Sequence, residues 1–184
     1  MSSTGVVGLV YKIKIRSFNY EGSTDSNSLS VALASLPSKP SSIPVSDSEI
    51  TNQVRIGVVI QVFDSTNNGG SPITNYEIQY DDGNLGLFRS VFQLSPTFTL
   101  FSNVTSAATY RFRYRATNFN GWGPFSDMAY ILAATVPGIP PAPVYVSSTS
   151  TTTTFAFLEP SDLGGSPLTG FKLYVDTLQL NDNY

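Results

Sequence analysis

The chain has no cysteine and no histidine in its 184 residues. Disulfides are excluded, and so are Cys/His zinc sites and every Ser-His-Asp or Cys-His arrangement. Charge is also scarce, with Asp, Glu, Lys and Arg at 12% against about 25% in an ordinary globular chain. The formal net charge of −3 supplies no global field for a polyanion, so no nucleic-acid partner is expected. No apolar run approaches the ~20 residues of a membrane span. The opening MSSTGVVGLVYKIK has no basic leader and makes a poor signal peptide, so the signal of a secreted parent would lie outside this stretch. No metal set and no cofactor motif is present.

What the chain does hold suits short strands joined by turns: 12% aromatics, 14 Gly, 12 Pro and abundant Ser and Thr. Length allows one or two domains. The most regular stretch is Tyr110–Ser126, YRFRYRATNFNGWGPFS. Tyr110, Phe112, Tyr114 and Ala116 alternate with Arg111, Arg113, Arg115 and Thr117, the period of a half-buried strand. Asn118, Asn120, Gly121 and Gly123 then supply turn chemistry, and Pro124 opens a return strand running to about Ala134. These residues predict a β-hairpin.

Here the sequence resembles the fibronectin type III family, whose last two strands read Y-x-F-x-V-x-A-x-N-x-x-G-x-G-P-x-S. Tyr110, Phe112, Ala116, Asn118, Gly121, Gly123, Pro124 and Ser126 match, with Tyr114 in the Val position. An upstream family signature, G-G-S-P-I-T-x-Y, stands at Gly69, Gly70, Ser71, Pro72, Ile73, Thr74 and Tyr76. The resemblance implies an all-β, immunoglobulin-like sandwich of seven strands. It also implies that Tyr110 anchors the corner before the sixth strand through its hydroxyl. Because the family usually folds without disulfides, the missing cysteine says little about compartment.

Internal repeats set the organisation. Tyr11, Ile13 and Ile15, followed by Asn19 and Gly22, copy the Tyr110 pattern at a spacing of 99 residues. Gly164–Phe171 copies Gly69–Tyr76 at a spacing of 95, and Pro137-x-x-Pro140 copies Pro37-x-x-Pro40 at 100. A period of this size is that of one such sandwich. Three parts are therefore expected end to end: residues 1–36 as the last two strands of one repeat, 37–136 as a complete repeat, and 137–184 as the head of a third. Prolines at both junctions argue for an extended rod.

Within 37–136 seven strands are expected. They lie near Ile43–Asp47, Gln53–Phe63, Ile73–Asp81, Leu87–Leu94 and Thr97–Phe101, with the Tyr110 hairpin as the last two. In the second, Val54, Ile56, Val58, Ile60 and Val62 share a face, and in the third Tyr76, Ile78 and Tyr80 point inward. The family's core Trp position falls on Val62 here and on Phe157 in the last part. The final 48 residues are expected to hold three strands and the start of a fourth.

Several features have a functional and a plain reading. Arg111, Arg113, Arg115, Lys12, Lys14 and Arg16 hold six of the ten cations. A basic stripe binds phosphates, but a solvated strand face with Glu77 as a cross-strand partner explains it more simply. Asp64–Gly69 imitates the start of a calcium loop, yet Thr66 and Asn75 stand where stronger ligands are needed, leaving a plain loop. Asn103-Val104-Thr105 is the one N-x-[ST] sequon, with Asn103 a candidate N-glycosylation acceptor in an exposed turn. The Ser147–Thr154 tract suits O-linked sugars or, more simply, a strand. Trp122, the single tryptophan, sits at the hairpin tip as a candidate contact for a partner or sugar ring, or packs sideways on its own turn. The family's adhesive Arg-Gly-Asp tripeptide is absent from this hairpin.

No spacing pairs a nucleophile with a base, so the chain is expected to be non-catalytic. The expected role is a structural and interaction segment of a tandem array forming a rod or filament, outside the cell or on its surface. Its partners are neighbouring fibronectin type III repeats, including self-association, and glycans. The alternatives are a spacer of a larger secreted enzyme, a receptor ectodomain, or an intracellular cytoskeletal or ciliary setting. Each end alone leaves an apolar face and open edges. Either the chain is a window of a longer periodic protein, or head and tail of successive molecules complete one sandwich.

Overall fold

The computed structural model describes residues 5–176. Alternation along Tyr110–Thr117 places the first ring of each pair inside and each Arg outside, and the strand formed is the longest in the chain, β10 (Thr109–Asn118). It is the centre of a sheet ordered β11-β10-β7-β8, in which β7 is Asn75–Tyr80, β8 is Arg89–Gln93 and β11 is Gly121–Trp122. A further strand, β12 (Ala129–Leu132), pairs with β10 from Thr109↔Leu132 to Phe112↔Ala129. A second sheet is ordered β5-β6-β9, from Val45–Asn52, Arg55–Val59 and Thr97–Leu100. All pairings are antiparallel.

The inner faces of the two sheets meet in one core. Ile56 and Val58 of β6, Ile78 of β7, and Tyr110, Phe112, Tyr114 and Ala116 of β10 are all at most 1% exposed. Burying a large apolar side chain contributes roughly 1.5–3 kcal/mol, so this cluster supplies most of the driving force. The expected strands are all present, with two corrections of detail. The first runs on to Asn52 and turns directly into β6 at Asn52↔Arg55. The return strand is broken between Trp122 and Ala129, where the Ser126 hydroxyl takes the Tyr114 N–H that a strand carbonyl would otherwise hold.

The inward face of β6 is shorter than alternation implies. Val54 and Val62 are 64% and 61% exposed, while Ile56, Val58 and Ile60 are buried. The ladder stops at Val59, with Ile60 N still donating to Pro96 O at 2.9 Å, and beyond Ile60 the period of two no longer applies. Phe63 is the buried residue instead, its N–H donating to the Tyr76 hydroxyl at 3.1 Å and its ring 6.0 Å from that of Tyr76. The core Trp position is therefore filled by Phe63 and not by Val62.

Before this sandwich, β1 (Val10–Ile13) pairs β4 (Leu29–Ala32), and β2 (Arg16–Asn19) pairs β3 (Gly22–Asp25). Together they are one long hairpin. Lys14 and Arg16 do not join the Arg111 stripe; both pair with Asp25 across the hairpin. Val10, Ile13, Phe18 and Leu29 are half or more exposed.

The chain divides after Thr135 into two compact units. In the second, β13 (Val144–Ser148) and β14 (Thr153–Ala156) form a hairpin. The Ser/Thr tract is thus a turn flanked by strand ends, with Thr149 N donating to Thr152 O and the Thr149 Oγ1 accepting from Thr151 and Thr152 N, and is not one continuous strand. The third strand expected here is not formed among the described residues. Phe171 and Leu173, counterparts of the β7 residues Tyr76 and Ile78, have no neighbouring ladder, and a lone strand leaves its backbone unpaired. Phe157 stacks on Phe171, ring centroids 6.3 Å apart. The expected start of a fourth strand, the counterpart of Arg89 onward, lies outside the described residues.

Candidate functional site

Strand β10 presents chemistry on its outward face and at both ends. Its outward face carries Arg111, Arg113 and Arg115 opposite Asp81, Gln79 and Glu77. Arg115 pairs with Glu77 at 2.6 Å and Arg111 with Asp81 at 2.7 Å, while Arg113 Nε donates to Gln79 Oε1 at 2.8 Å. Strand alternation predicts a solvent-facing Glu77, yet it is 4% exposed and Asp81 1%. The cover consists of aromatic rings. Arg115 lies 5.0 Å from the Trp122 centroid and 4.4 Å from Phe125. Arg113 lies 4.3 Å from Phe125 and 4.7 Å from Phe88, and Arg111 lies 4.9 Å from Phe88.

Rings and guanidiniums thus interleave as Trp122, Arg115, Phe125, Arg113, Phe88, Arg111. Ring faces occupy the cation faces and acceptors occupy their edges. Burial pushes the Glu77 carboxyl up, but hydrogen bonds from Ser90, Gln79 and Arg115 outweigh it and hold the group below its ordinary value. A phosphate would have to displace partners already in place, so the stripe is neither a free basic surface nor a solvated one. Trp122 is not a free aromatic at the tip. It is half-buried at the end of this ladder, 5.9 Å from the Phe92 ring, in keeping with sideways packing. Phe88 and Phe125 reach this face from loops, although the sequence predicts strand at both: β8 begins only at Arg89 and β12 only at Ala129.

At the N-terminal end of β10, the Tyr110 ring is 1% exposed. Its hydroxyl accepts from Thr105 N at 2.8 Å and donates to Asn103 O at 3.2 Å. Asn103 is exposed with φ 58°, a left-handed conformation that Asn tolerates better than most side chains.

At the C-terminal end, the signature residues converge on one strip of main chain, Ala32–Pro37. Buried Asn118 donates through Nδ2 to Ser35 O at 2.7 Å and Asn68 O at 2.9 Å, while its Oδ1 accepts from Asn120 N at 2.9 Å. Asn120 donates to Ala32 O at 3.1 Å and Ala34 O at 2.6 Å, and accepts from Ala32 N at 3.3 Å. Gly69, at φ 74°, accepts from Ser35 N at 2.8 Å; a Cβ on it would lie 2.4 Å from Ser35 O. A Cβ on Gly123 would lie 2.4 Å from Pro37 O. Gly70 N donates to Asn68 Oδ1, Gly121 pairs with Asn118, and Pro72 and Pro124 are exposed beside these turns. The sequence marks Asn120 only as turn chemistry, and nothing local marks the carbonyls it reaches.

The Asp64 loop is closed on itself, its carboxylate accepting from Thr66 N and Oγ1, which holds it below its ordinary value. Among the described residues no group of three acids is placed to hold a metal ion. Nor is any helix long and apolar enough to cross a membrane.

Two antiparallel sheets in this order, a hydroxyl-anchored corner before β10, and the Asn-Gly turn after it define an immunoglobulin-like sandwich of the fibronectin type III class. Comparison with known proteins agrees. Over 105 residues the chain is 32% identical to fibronectin type-III domain-containing protein 3A of Pongo abelii and, equally, of Homo sapiens. The match covers 57% of this chain and 9% of the length of those relatives. The crystal structure of the chicken CNTN1 FN1–FN3 domains is similar in fold, with a TM-score of 0.50 at 15% identity, covering 85% of this chain and 54% of that one. No family profile matches the chain. The chain therefore has the fold of a fibronectin type III domain.

Proposed function

We propose that the chain is a non-catalytic structural and interaction segment of a tandem fibronectin type III array. In this reading residues 1–36 close one repeat, 37–136 form the next, and 137–184 open a third. The observation that supports it is one hydrogen bond made twice. Ser38 N donates to Asn67 O at 2.9 Å, and Gly138 N to Asp162 O at 2.9 Å. Donors and acceptors are separated by 100 and 95 residues, the spacings of the sequence repeat. The hairpin tips agree: Asn19 Oδ1 accepts from Glu21 and Gly22 N, as Asn118 Oδ1 does from Asn120 N.

Such an array is a rod advancing roughly 30–40 Å per repeat, from strands of ~8–10 residues at ~3.3 Å each plus a linker. Its partners are neighbouring repeats, in the same chain or in a second copy. A place outside the cell or on its surface goes with this reading, and glycan on Asn103 would separate it from a cytoskeletal or ciliary one. Denaturing mass spectrometry of the native protein tests the array. A chain far above 19.9 kDa is expected. A 19.9 kDa subunit that builds filaments would move the reading to completion between molecules, and a folded monomer of that mass would overturn both.

A further inference from the structure

We propose that Asn118 and Asn120 make the turn after β10 a lock for the preceding hairpin, fixing the angle between successive repeats. This rests on the array reading above and adds what sets its stiffness. Proline alone restricts φ but leaves the chain free to swing about its remaining torsions. The contacts here do more, because they come from two separate loops and converge on one strip of main chain, Ala32–Ser38.

The Asn118–Asn120 turn supplies the first set. Asn120 spans Ala32 and Ala34 through one carboxamide, using its oxygen and both of its donor positions, as a neighbouring strand would. Asn118 reaches Ser35 O and is itself 4% exposed, so its bonds are shielded from water. The Asn67–Gly70 loop supplies the second set. Asn67 O accepts from Ser38 N, and Gly69 O accepts from both the amide and the hydroxyl of Ser35. Farther out, a Cβ on Gly8 would lie 2.8 Å from Gly70 O, so the hairpin's first turn also rests on this loop. Nearly every group held on the hairpin side is main chain. The surface therefore fits any repeat whose main chain takes the same course here and keeps small or compact residues at the buried Ala32 and Pro37.

The absence of cysteine allows a clean test on the full chain. Ser23→Cys on the hairpin and Ser48→Cys on the sandwich, both exposed, carry spin labels for distance measurement by pulsed electron resonance. The parent is expected to give one narrow distribution. Asn120→Ala should widen it about twofold or more, relative domain motion being the default once an interface is lost, with the cooperative melt of the sandwich kept. A parent distribution already wide overturns the proposal, as does an Asn120→Ala distribution as narrow as the parent's. Should Asn120→Ala lose the cooperative melt, a Gly-Gly insertion between Leu33 and Ala34 decides. It separates the two carbonyls that Asn120 spans and leaves residues 37–136 unchanged; a wide distribution supports the lock and a narrow one overturns it. A wide parent leaves the array reading standing, since flexible arrays exist. A folded native monomer of 19.9 kDa would remove the array without touching the distances.

Discussion

Replacing Tyr110 by Phe removes one oxygen and leaves the ring, so the packing of a residue that is 1% exposed is preserved. Two hydrogen bonds disappear, one from Thr105 N at 2.8 Å and one to Asn103 O at 3.2 Å. A net contribution of 0.5–1.5 kcal/mol is usual for each. Thr105 and Asn103 are themselves exposed, so water can re-satisfy part of what is lost. The expected destabilisation is therefore about 1–2 kcal/mol. In a sandwich of this size that lowers the melting temperature by roughly 5–10 °C. Urea unfolding followed by near-ultraviolet circular dichroism measures it, and the midpoint should fall with the slope m unchanged, because the buried area is the same. Asn103→Gly is the control. It keeps the carbonyl and suits φ 58°, so it should stay within about 0.5 kcal/mol of the parent. No change in Tyr110→Phe, or a fall in m with it, would refute the corner as a pair of hydrogen bonds.

Residues 37–136 alone should fold as a monomeric all-β domain with one cooperative transition, since both sheets and the whole core lie within them; helical circular dichroism or a non-cooperative melt would count against this. Glu77→Gln should cost about 2 kcal/mol at neutral pH by leaving the Arg115 guanidinium without its carboxylate. The folded Glu77 carboxyl lies below its ordinary 4.5, so its stabilisation is present above that pH and lost as pH falls through the folded value. Parent and variant melts should therefore converge in acid, and a gap that persists or widens there would contradict the pairing. Expression through a secretory pathway should add a glycan mass at Asn103 that Thr105→Ala abolishes; an unmodified parent in that host would dismiss the site.

Strand β10 was legible because its inward rings and outward arginines alternate without interruption, and a period of two has one structural meaning. Val62 shows where that logic ends. Alternation holds only while a ladder enforces the pleat, and past Ile60 the chain is held by tyrosine hydroxyls, Gln61 N donating to Tyr114 and Phe63 N to Tyr76. The third strand expected near Phe171 failed for a related reason. Its pattern is sound, but a strand is a property of a pair. The arginine ladder was half visible: Glu77 was foreseen as a partner, whereas Phe88 and Phe125 reach the face from loops on either side of it. The Asn118 and Gly123 signature was readable as turn chemistry, but its second task was hidden because the groups it holds are anonymous carbonyls 80 or more residues earlier.

That anonymity has an evolutionary consequence. A grip on carbonyls is blind to the substitutions that accumulate at the exposed Leu33, Ser35 and Leu36, provided the main chain keeps its course and Ala32 and Pro37 remain tucked in place. Selection on the joint then falls almost entirely on the receiving loops, on Asn118, Asn120, Gly69 and Gly123. A gene segment encoding one repeat can be copied, moved or inserted upstream without a matched change in its new neighbour. Duplication becomes a neutral step for the geometry of the joint, and divergence of the inserted copy is free to follow on every surface the joint does not touch.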